Sequence, residues 1–250
     1  YVGVFDLNGT WDRNVTIANT RYYPRDLALD ENGTIYIAEG YAVTCLENNG
    51  TFRWRTGLGA SISSFGNNGS GDGEFYEAWG IALGADGKVY VADYRNHRVQ
   101  VLENNGSFVR SFGTQGSAPG QLNYPRDLVV LNDGTVVVAD NSYLHYFQSD
   151  GTFVRRTNAG RYTVSISQDG TLLSNRKLLD QDGGVIANLS AVLSSYWSSD
   201  YRRDAFTSNG DLIHNFSDYD GSTTEHKLRF YKRAYRTKGL PVPNVIPQPA

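Results

Sequence analysis

Apolar residues in this chain come in short runs, broken repeatedly by Asn-Gly or Asp-Gly. A unit opens on a brief apolar stretch such as Asp26-Leu27-Ala28-Leu29 or Asp127-Leu128-Val129-Val130. A tight turn follows, at Glu31-Asn32-Gly33, Ala85-Asp86-Gly87, Asn132-Asp133-Gly134, Gln168-Asp169-Gly170 and Ser208-Asn209-Gly210. These dipeptides supply the positive φ angles that a two-residue hairpin requires. A β-branched run then alternates, as in Thr34-Ile35-Tyr36-Ile37-Ala38 and Lys88-Val89-Tyr90-Val91-Ala92. After a loop comes a third strand, and a second Asn-Gly or Asp-Gly hairpin leads to a fourth that ends in aromatics and arginines. The pattern predicts short antiparallel strands throughout.

The first-hairpin glycines recur at 33, 87, 134, 170 and 210, intervals of 54, 47, 36 and 40 residues. A unit of this size cannot bury its apolar face alone, so repetition sets the architecture. Four antiparallel strands in a repeated meander form a propeller blade. Five complete units are expected, the fourth and fifth degenerate. The chain also begins in mid-unit, because Val4-Phe5-Asp6-Leu7-Asn8-Gly9-Thr10-Trp11 parallels Cys45-Leu46-Glu47-Asn48-Asn49-Gly50-Thr51-Phe52, strands three and four of a blade. A half-blade at the start points to ring closure by strands from both termini, which removes sheet edges. The expected fold is therefore all-β, a six-bladed propeller over residues 1–238 with a proline-rich tail or linker at 239–250. Five blades with an appended hairpin is the alternative, since proline cannot donate to a ladder.

One unit carries a more specific signature: Phe75, then Gly80-Ile81-Ala82-Leu83, Asp86-Gly87-Lys88-Val89-Tyr90-Val91-Ala92-Asp93 and Asn96-His97-Arg98-Val99-Gln100-Val101. This unit resembles an NHL repeat, and the Asn-His-Arg triplet is close to the signature that names the family. Residues 20 to 155 resemble it well, and residues 160 to 236 only in hairpins and strand rhythm. The resemblance implies a β-propeller and no single function, because such propellers include binding modules, sensor ectodomains and a few lyases.

Bulk properties narrow the choice. The formal charge is −3, which disfavours a nucleic-acid partner. No apolar run approaches the ~20 residues of a membrane-spanning helix. A single cysteine, Cys45, excludes a disulfide framework and reads as a buried small hydrophobe. The lack of methionine, initiator included, points to a processed product or a piece of a longer protein. Eight glycosylation-type sequons are present, at Asn8, Asn14, Asn32, Asn49, Asn68, Asn105, Asn188 and Asn215. Where the middle residue is glycine, hairpin chemistry explains them, and glycan attachment matters only if a eukaryote secretes the protein.

Two series of polar residues recur between copies. Glu39, Asp93 and Asp140 end the second strand, where a carboxylate bonds loop amides or a neighbouring arginine such as Arg98. The second series starts the inner strand: Tyr23-Pro24-Arg25-Asp26, Tyr124-Pro125-Arg126-Asp127 and Tyr201-Arg202-Arg203-Asp204, with Ala78-Trp79-Gly80 and Gly160-Arg161-Tyr162-Thr163 in the other units. Aligned, they place Arg25, Asp26, Arg126, Asp127, Arg203 and Asp204 around one channel mouth with Trp79 and Tyr162 beside them. Such a concave site suits a small polar ligand or a peptide terminus. The competing use is a ring of Arg-Asp salt bridges that plugs the channel.

Enzymatic chemistry finds less support. His97, His145, His214 and His226 show no metal-ligand spacing, and arginines beside the channel aspartates would repel calcium. The basic aromatic stripe Lys227, Arg229, Phe230, Tyr231, Lys232, Arg233, Tyr235, Arg236, Lys238 fits a solvated outer strand pair better than an RNA grip. The sequence is read as a non-enzymatic binding or scaffolding module of a larger exported, extracellular or cell-surface bacterial protein, itself a monomeric domain. It would recognise a protein, peptide or glycan on a ring face, with no cofactor. The alternative is a lactonase- or lyase-like propeller enzyme with a metal in its channel.

Overall fold

The computed structural model describes residues 24–57 and 69–189 in full and, for five further strands, the backbone alone. Those five are β1 (Val2–Phe5), β2 (Trp11–Val15), β19 (Ala205–Phe206), β20 (Leu212–Tyr219) and β21 (Thr224–Tyr231). Arg203, Asp204 and the tail at 239–250 lie outside the described residues, as does any closure of the ring that depends on the tail.

Four sheets of four antiparallel strands follow one another along the chain. The first holds β3 (Asp26–Leu29), β4 (Ile35–Ala38), β5 (Ala42–Leu46) and β6 (Phe52–Gly57). The second holds β7 (Ala78–Leu83), β8 (Val89–Asp93), β9 (Arg98–Leu102) and β10 (Phe108–Phe112). The third holds β11 (Asp127–Val130), β12 (Val136–Ala139), β13 (Leu144–Phe147) and β14 (Phe153–Thr157). The fourth is abbreviated: β15 (Ser165–Ile166), β16 (Leu172–Ser174), β17 (Lys177–Leu179) and β18 (Val185–Asn188). Strands β19, β20 and β21 form a three-stranded sheet, and β1 and β2 pair with each other. The inner strands β3, β7, β11, β15 and β19 contact one another in that order, which arranges the sheets as blades around an axis.

The hairpins differ in detail from the two-residue turns that Asn-Gly and Asp-Gly suggest. In the first loop the Asp30 amide donates to Thr34 O (3.1 Å) and the Gly33 amide to Asp30 O (3.0 Å). This is a three-residue loop, a type I turn followed by one left-handed residue. The same pair of bonds recurs at residues 84–88, 131–135 and 167–171, and at the second hairpins 47–51, 103–107, 148–152 and 180–184. Only the glycine has positive φ, 76° at Gly33 for example. The residue before it caps the turn instead: Asn49, Asn105, Asp133 and Asp150 each accept, through Oδ1, the amide two residues on at 2.8–2.9 Å. The sequons at Asn49 and Asn105 are thus turn chemistry.

A β-bulge marks the start of every fourth strand. Leu46 pairs with Phe52 but Cys45 with Trp54, so Arg53 is the extra residue. Val109, Val154 and Ile186 stand likewise. In the N-terminal hairpin Phe5 pairs with Trp11 and Val4 with Arg13, leaving Asp12 extra. The bulge raises local twist and swings the outer strand. The β1–β2 pair carries the same shift as the third and fourth strands of the described blades.

The second and third strands do not alternate between core and solvent. Every residue of β4, β8, β12, β5 and β13 is buried. Successive side chains still face opposite ways, but both faces are dry. Val89 and Val91 pack against Tyr36, Ala38, Val43 and Cys45 of the first blade. Tyr90 and Ala92, the intervening residues, pack against Leu128, Val136 and Val138 of the third. Val137 and Ala139 face Val164 and Leu172 of the fourth. The core is therefore a series of layers between blades. Cys45 is fully buried in the first layer, and burial pushes its thiol up to about 11, which suits a packing role.

Candidate functional site

The repeated carboxylates hold loops. Asp93, fully buried, accepts from the Tyr76 amide (2.9 Å) through Oδ1 and from Asn96 Nδ2 (2.8 Å), Arg98 Nε (2.9 Å) and Gln100 Nε2 (3.2 Å) through Oδ2. Glu39 takes Arg55 Nη2 at 2.6 Å, and Asp140 takes His145 Nε2 at 2.9 Å together with the amides of Asn123, Ser142 and Tyr143. Burial pushes the Asp140 carboxyl up, but His145 and the amides more than offset it, so its pKa ends below the usual range.

His97 closes the short helical turn Tyr94–Asn96 in a left-handed conformation (φ 55°). Its Nδ1 accepts the amide of Tyr124 (3.1 Å), at the start of the next inner strand, and the two rings pack 4.3 Å apart. The signature histidine thus clasps blade to blade, and burial holds its pKa below the ordinary 6.5. On acidification the unfolded chain takes up a proton that the folded imidazole resists. Stability owed to His97 is complete above about pH 6.5 and declines as pH falls toward the lowered folded value. Wild-type Tm, followed by circular dichroism from about pH 7.5 to 5.5, is expected to fall more steeply than that of His97→Gln. Parallel curves would refute the clasp.

The equivalent inner-strand positions expected at the channel mouth are occupied by Arg25, Trp79, Arg126 and Tyr162, cation and ring in alternation from blade to blade. Each arginine lies on a neighbouring blade's ring. Arg25 Cζ is 4.8 Å and Arg126 Cζ 5.2 Å from the Trp79 centroid, and Arg126 Cζ is 5.1 Å from that of Tyr162. Trp79, 9% exposed, also stacks on Tyr94 at 4.6 Å and donates Nε1 to Glu77 Oε2 at 3.1 Å. Glu77 Oε1 in turn holds Arg95 Nε at 2.6 Å, and Asn141 Oδ1 holds Arg126 Nε at 3.0 Å. Contacts of this kind contribute about 0.5–2 kcal/mol each and fix the orientation of long side chains.

Asp26 and Asp127 serve a different purpose. Asp26 Oδ2 accepts the amide of Ile81 in the next blade (3.0 Å), and Asp127 Oδ2 accepts that of Val164 in the next (3.1 Å). Between them Gly80 stands where the others have aspartate. A Cβ there would meet Asp127 Cα at 2.7 Å and Arg126 O at 2.9 Å. The aspartates are blade-to-blade struts, and the arginines and rings stack on one another.

Two members of this stack are not among the residues that the tetrads single out. Arg161, exposed, lies 4.7 Å over Tyr162, although its own blade offsets it by one position from the other arginines. Tyr94 follows the carboxylate of its unit, and that placement beside a recurring residue is the signal that points to it. Among the described residues no group of three or more His, Cys, Asp or Glu side chains converges as a metal site would need, and no helix is long and apolar enough to cross a membrane.

Blades of four antiparallel strands, ordered around an axis by their inner strands, define a β-propeller. Within that propeller, residues 75–102, the loop before β7 and strands β7 to β9 of the second blade, match the NHL repeat family. Protein lin-41 of Caenorhabditis elegans is 48% identical over 48 residues, 19% of this chain and 4% of lin-41, so this chain matches only a small part of that relative. Over the fold, the structure resembles a chain of a nidogen/laminin complex (TM-score 0.60, 13% identity, covering 92% of this chain and 84% of that one). It also resembles virginiamycin B lyase from Staphylococcus aureus (TM-score 0.55, 9% identity, covering 85% and 78%).

Proposed function

We propose that this chain is the binding module of a larger exported protein and recognises a protein, peptide or glycan at the mouth of a six-bladed ring. The observation that carries this reading is the stack Arg25–Trp79–Arg126–Tyr162–Arg161, assembled from four blades with its guanidinium groups already oriented. A pre-ordered polar cluster loses little side-chain entropy when a ligand binds. The described interblade layers are apolar clusters made without these side chains. A resemblance in fold to a chain from a nidogen/laminin complex lends support to a binding role.

The test is a screen of peptide and glycan arrays with the wild type and with an Arg25→Ala, Arg126→Ala double variant. Array signals are expected to be lost from the double variant while its cooperative unfolding persists. Undiminished signals with a lowered melting temperature would assign the stack to the scaffold.

A further inference from the structure

We propose that Asn32 is a modification site, the Asn-Gly pair at which the described part of this chain first converts to aspartate and isoaspartate. Three such pairs fall within the described residues: Asn32-Gly33, Asn49-Gly50 and Asn105-Gly106. In each the asparagine is exposed, and the glycine amide donates to the carbonyl three residues before it at 2.8–3.0 Å. Neither exposure nor the backbone distinguishes them.

The side chains do. Asn49 Oδ1 accepts the Thr51 amide and Asn105 Oδ1 the Ser107 amide, both at 2.9 Å. In the first loop the corresponding amide is already taken, because Asp30 Oδ1 accepts Thr34 N at 2.8 Å as well as Asn32 N at 2.9 Å. Two local acceptors compete for one donor there, and the Asn32 carboxamide is displaced from its own turn. The loop at 180–184 repeats the arrangement. Asp180 Oδ1 accepts the Gly184 amide at 2.7 Å, and Asp182, displaced in the same way, reaches Arg155 Nη2 at 2.9 Å instead.

A displaced carboxamide is free to turn its carbon toward the next amide. The Gly33 nitrogen gives its proton to base and bonds to Asn32 Cγ, the Cγ–Nδ2 bond breaks, and Nδ2 takes a proton from water and leaves as ammonia. Glycine favours the attack, since no Cβ crowds its nitrogen. Water then opens the five-membered imide. Addition at Cγ gives aspartate in an unchanged backbone, and addition at the main-chain carbonyl carbon gives isoaspartate, with the side-chain methylene now inside the backbone. At Asn49 and Asn105 the bond from Oδ1 to the amide two residues on must break first.

The two products differ in effect. Asp86, Asp133, Asp150 and Asp169 stand before glycine in intact turns elsewhere in the molecule, so aspartate at position 32 fits. Isoaspartate lengthens the three-residue loop between β3 and β4, where Thr34 and Ile35 are buried and Leu29 pairs with Ile35. A longer loop no longer matches that register.

The experiment incubates the full chain in mildly alkaline buffer and follows each Asn-Gly pair by peptide mapping with isoaspartyl methyltransferase labelling. Asn32 is expected to convert about fivefold faster than Asn49 or Asn105, the factor that one ordinary hydrogen bond represents. In urea the three rates should converge. Asp30→Ala releases the Thr34 amide to Asn32 Oδ1 and should slow Asn32 to the rate of the other two, whereas simple loosening of the loop would speed it. Equal rates in the folded chain would overturn the proposal, as would a ranking that survives in urea or a faster Asn32 in a folded Asp30→Ala variant. If Asp30→Ala does not fold, the wild-type ranking and its collapse in urea decide.

Discussion

Gly80→Ala is expected to destabilise the propeller by about 3 kcal/mol, the upper range for forcing an extra carbon into a packed interior. The added Cβ would sit 2.7 Å from Asp127 Cα and 2.9 Å from Arg126 O. Both atoms are backbone, so no rotamer change relieves the clash, and the inner strands β7 and β11 must part. In a chain of this length about 3 kcal/mol lowers Tm by roughly 6–12 °C. The flanking residues Trp79 and Arg126 would separate with the strands, so ligand capture at the mouth should weaken as well. Gly87→Ala provides the comparison. A methyl group on Gly87 would meet no atom within 4 Å, and only the φ of +75° resists the change, at a cost of about 1 kcal/mol. Urea denaturation of the two variants checks the difference. Equal stabilities would mean that β7 and β11 do not approach as closely as described.

Asp93→Ala should be the more damaging change to the scaffold, at about 4 kcal/mol. It removes the acceptor of a backbone amide and three side-chain donors at once, with Arg98 left largely buried. Orphaned donors cost more than the bonds they formed, and a buried guanidinium that loses its carboxylate costs most. Asp93→Asn should recover only part of the loss, because its NH2 must face either the Tyr76 amide or the donors Asn96, Arg98 and Gln100, and the charge that pairs with Arg98 is gone. A loss below about 1 kcal/mol by urea denaturation, the scale of an exposed ion pair, would show that the network is not the anchor of this blade.

Much of this scaffold is legible in the residues. The glycine spacing marks each hairpin, and the parallel between Val4–Trp11 and Cys45–Phe52 anticipates the shared bulge. The loops nonetheless contain three residues rather than two. Asn-Gly and Asp-Gly satisfy either turn, since both put glycine in the left-handed region, and loop length depends on which strand residues pair. The weak repeat signal after residue 160 has its counterpart in the short strands of the fourth blade. The in-out alternation fails for a different reason: a blade between two blades has no solvent face.

The mouth shows the same division. The tetrads single out Arg25, Arg126, Trp79 and Tyr162, but not that the aspartates turn to the next blade's amides. Arg161 is hidden from such an alignment because it is offset by one residue, and the left-handed Tyr162 (φ 67°) lies between it and the strand. What this sequence determined by itself is local and repetitive: turns, strand lengths, the bulge and the carboxylate at each second-strand end. These depend on φ preferences and on partners close along the chain. The tertiary structure alone decided which cation lies on which ring. Arg25 and Trp79 are 54 residues apart, and Arg126 and Tyr162 are 36, so each pair meets only after whole blades have packed. Their contact follows from the spacing of docked inner strands, a distance that no local preference encodes.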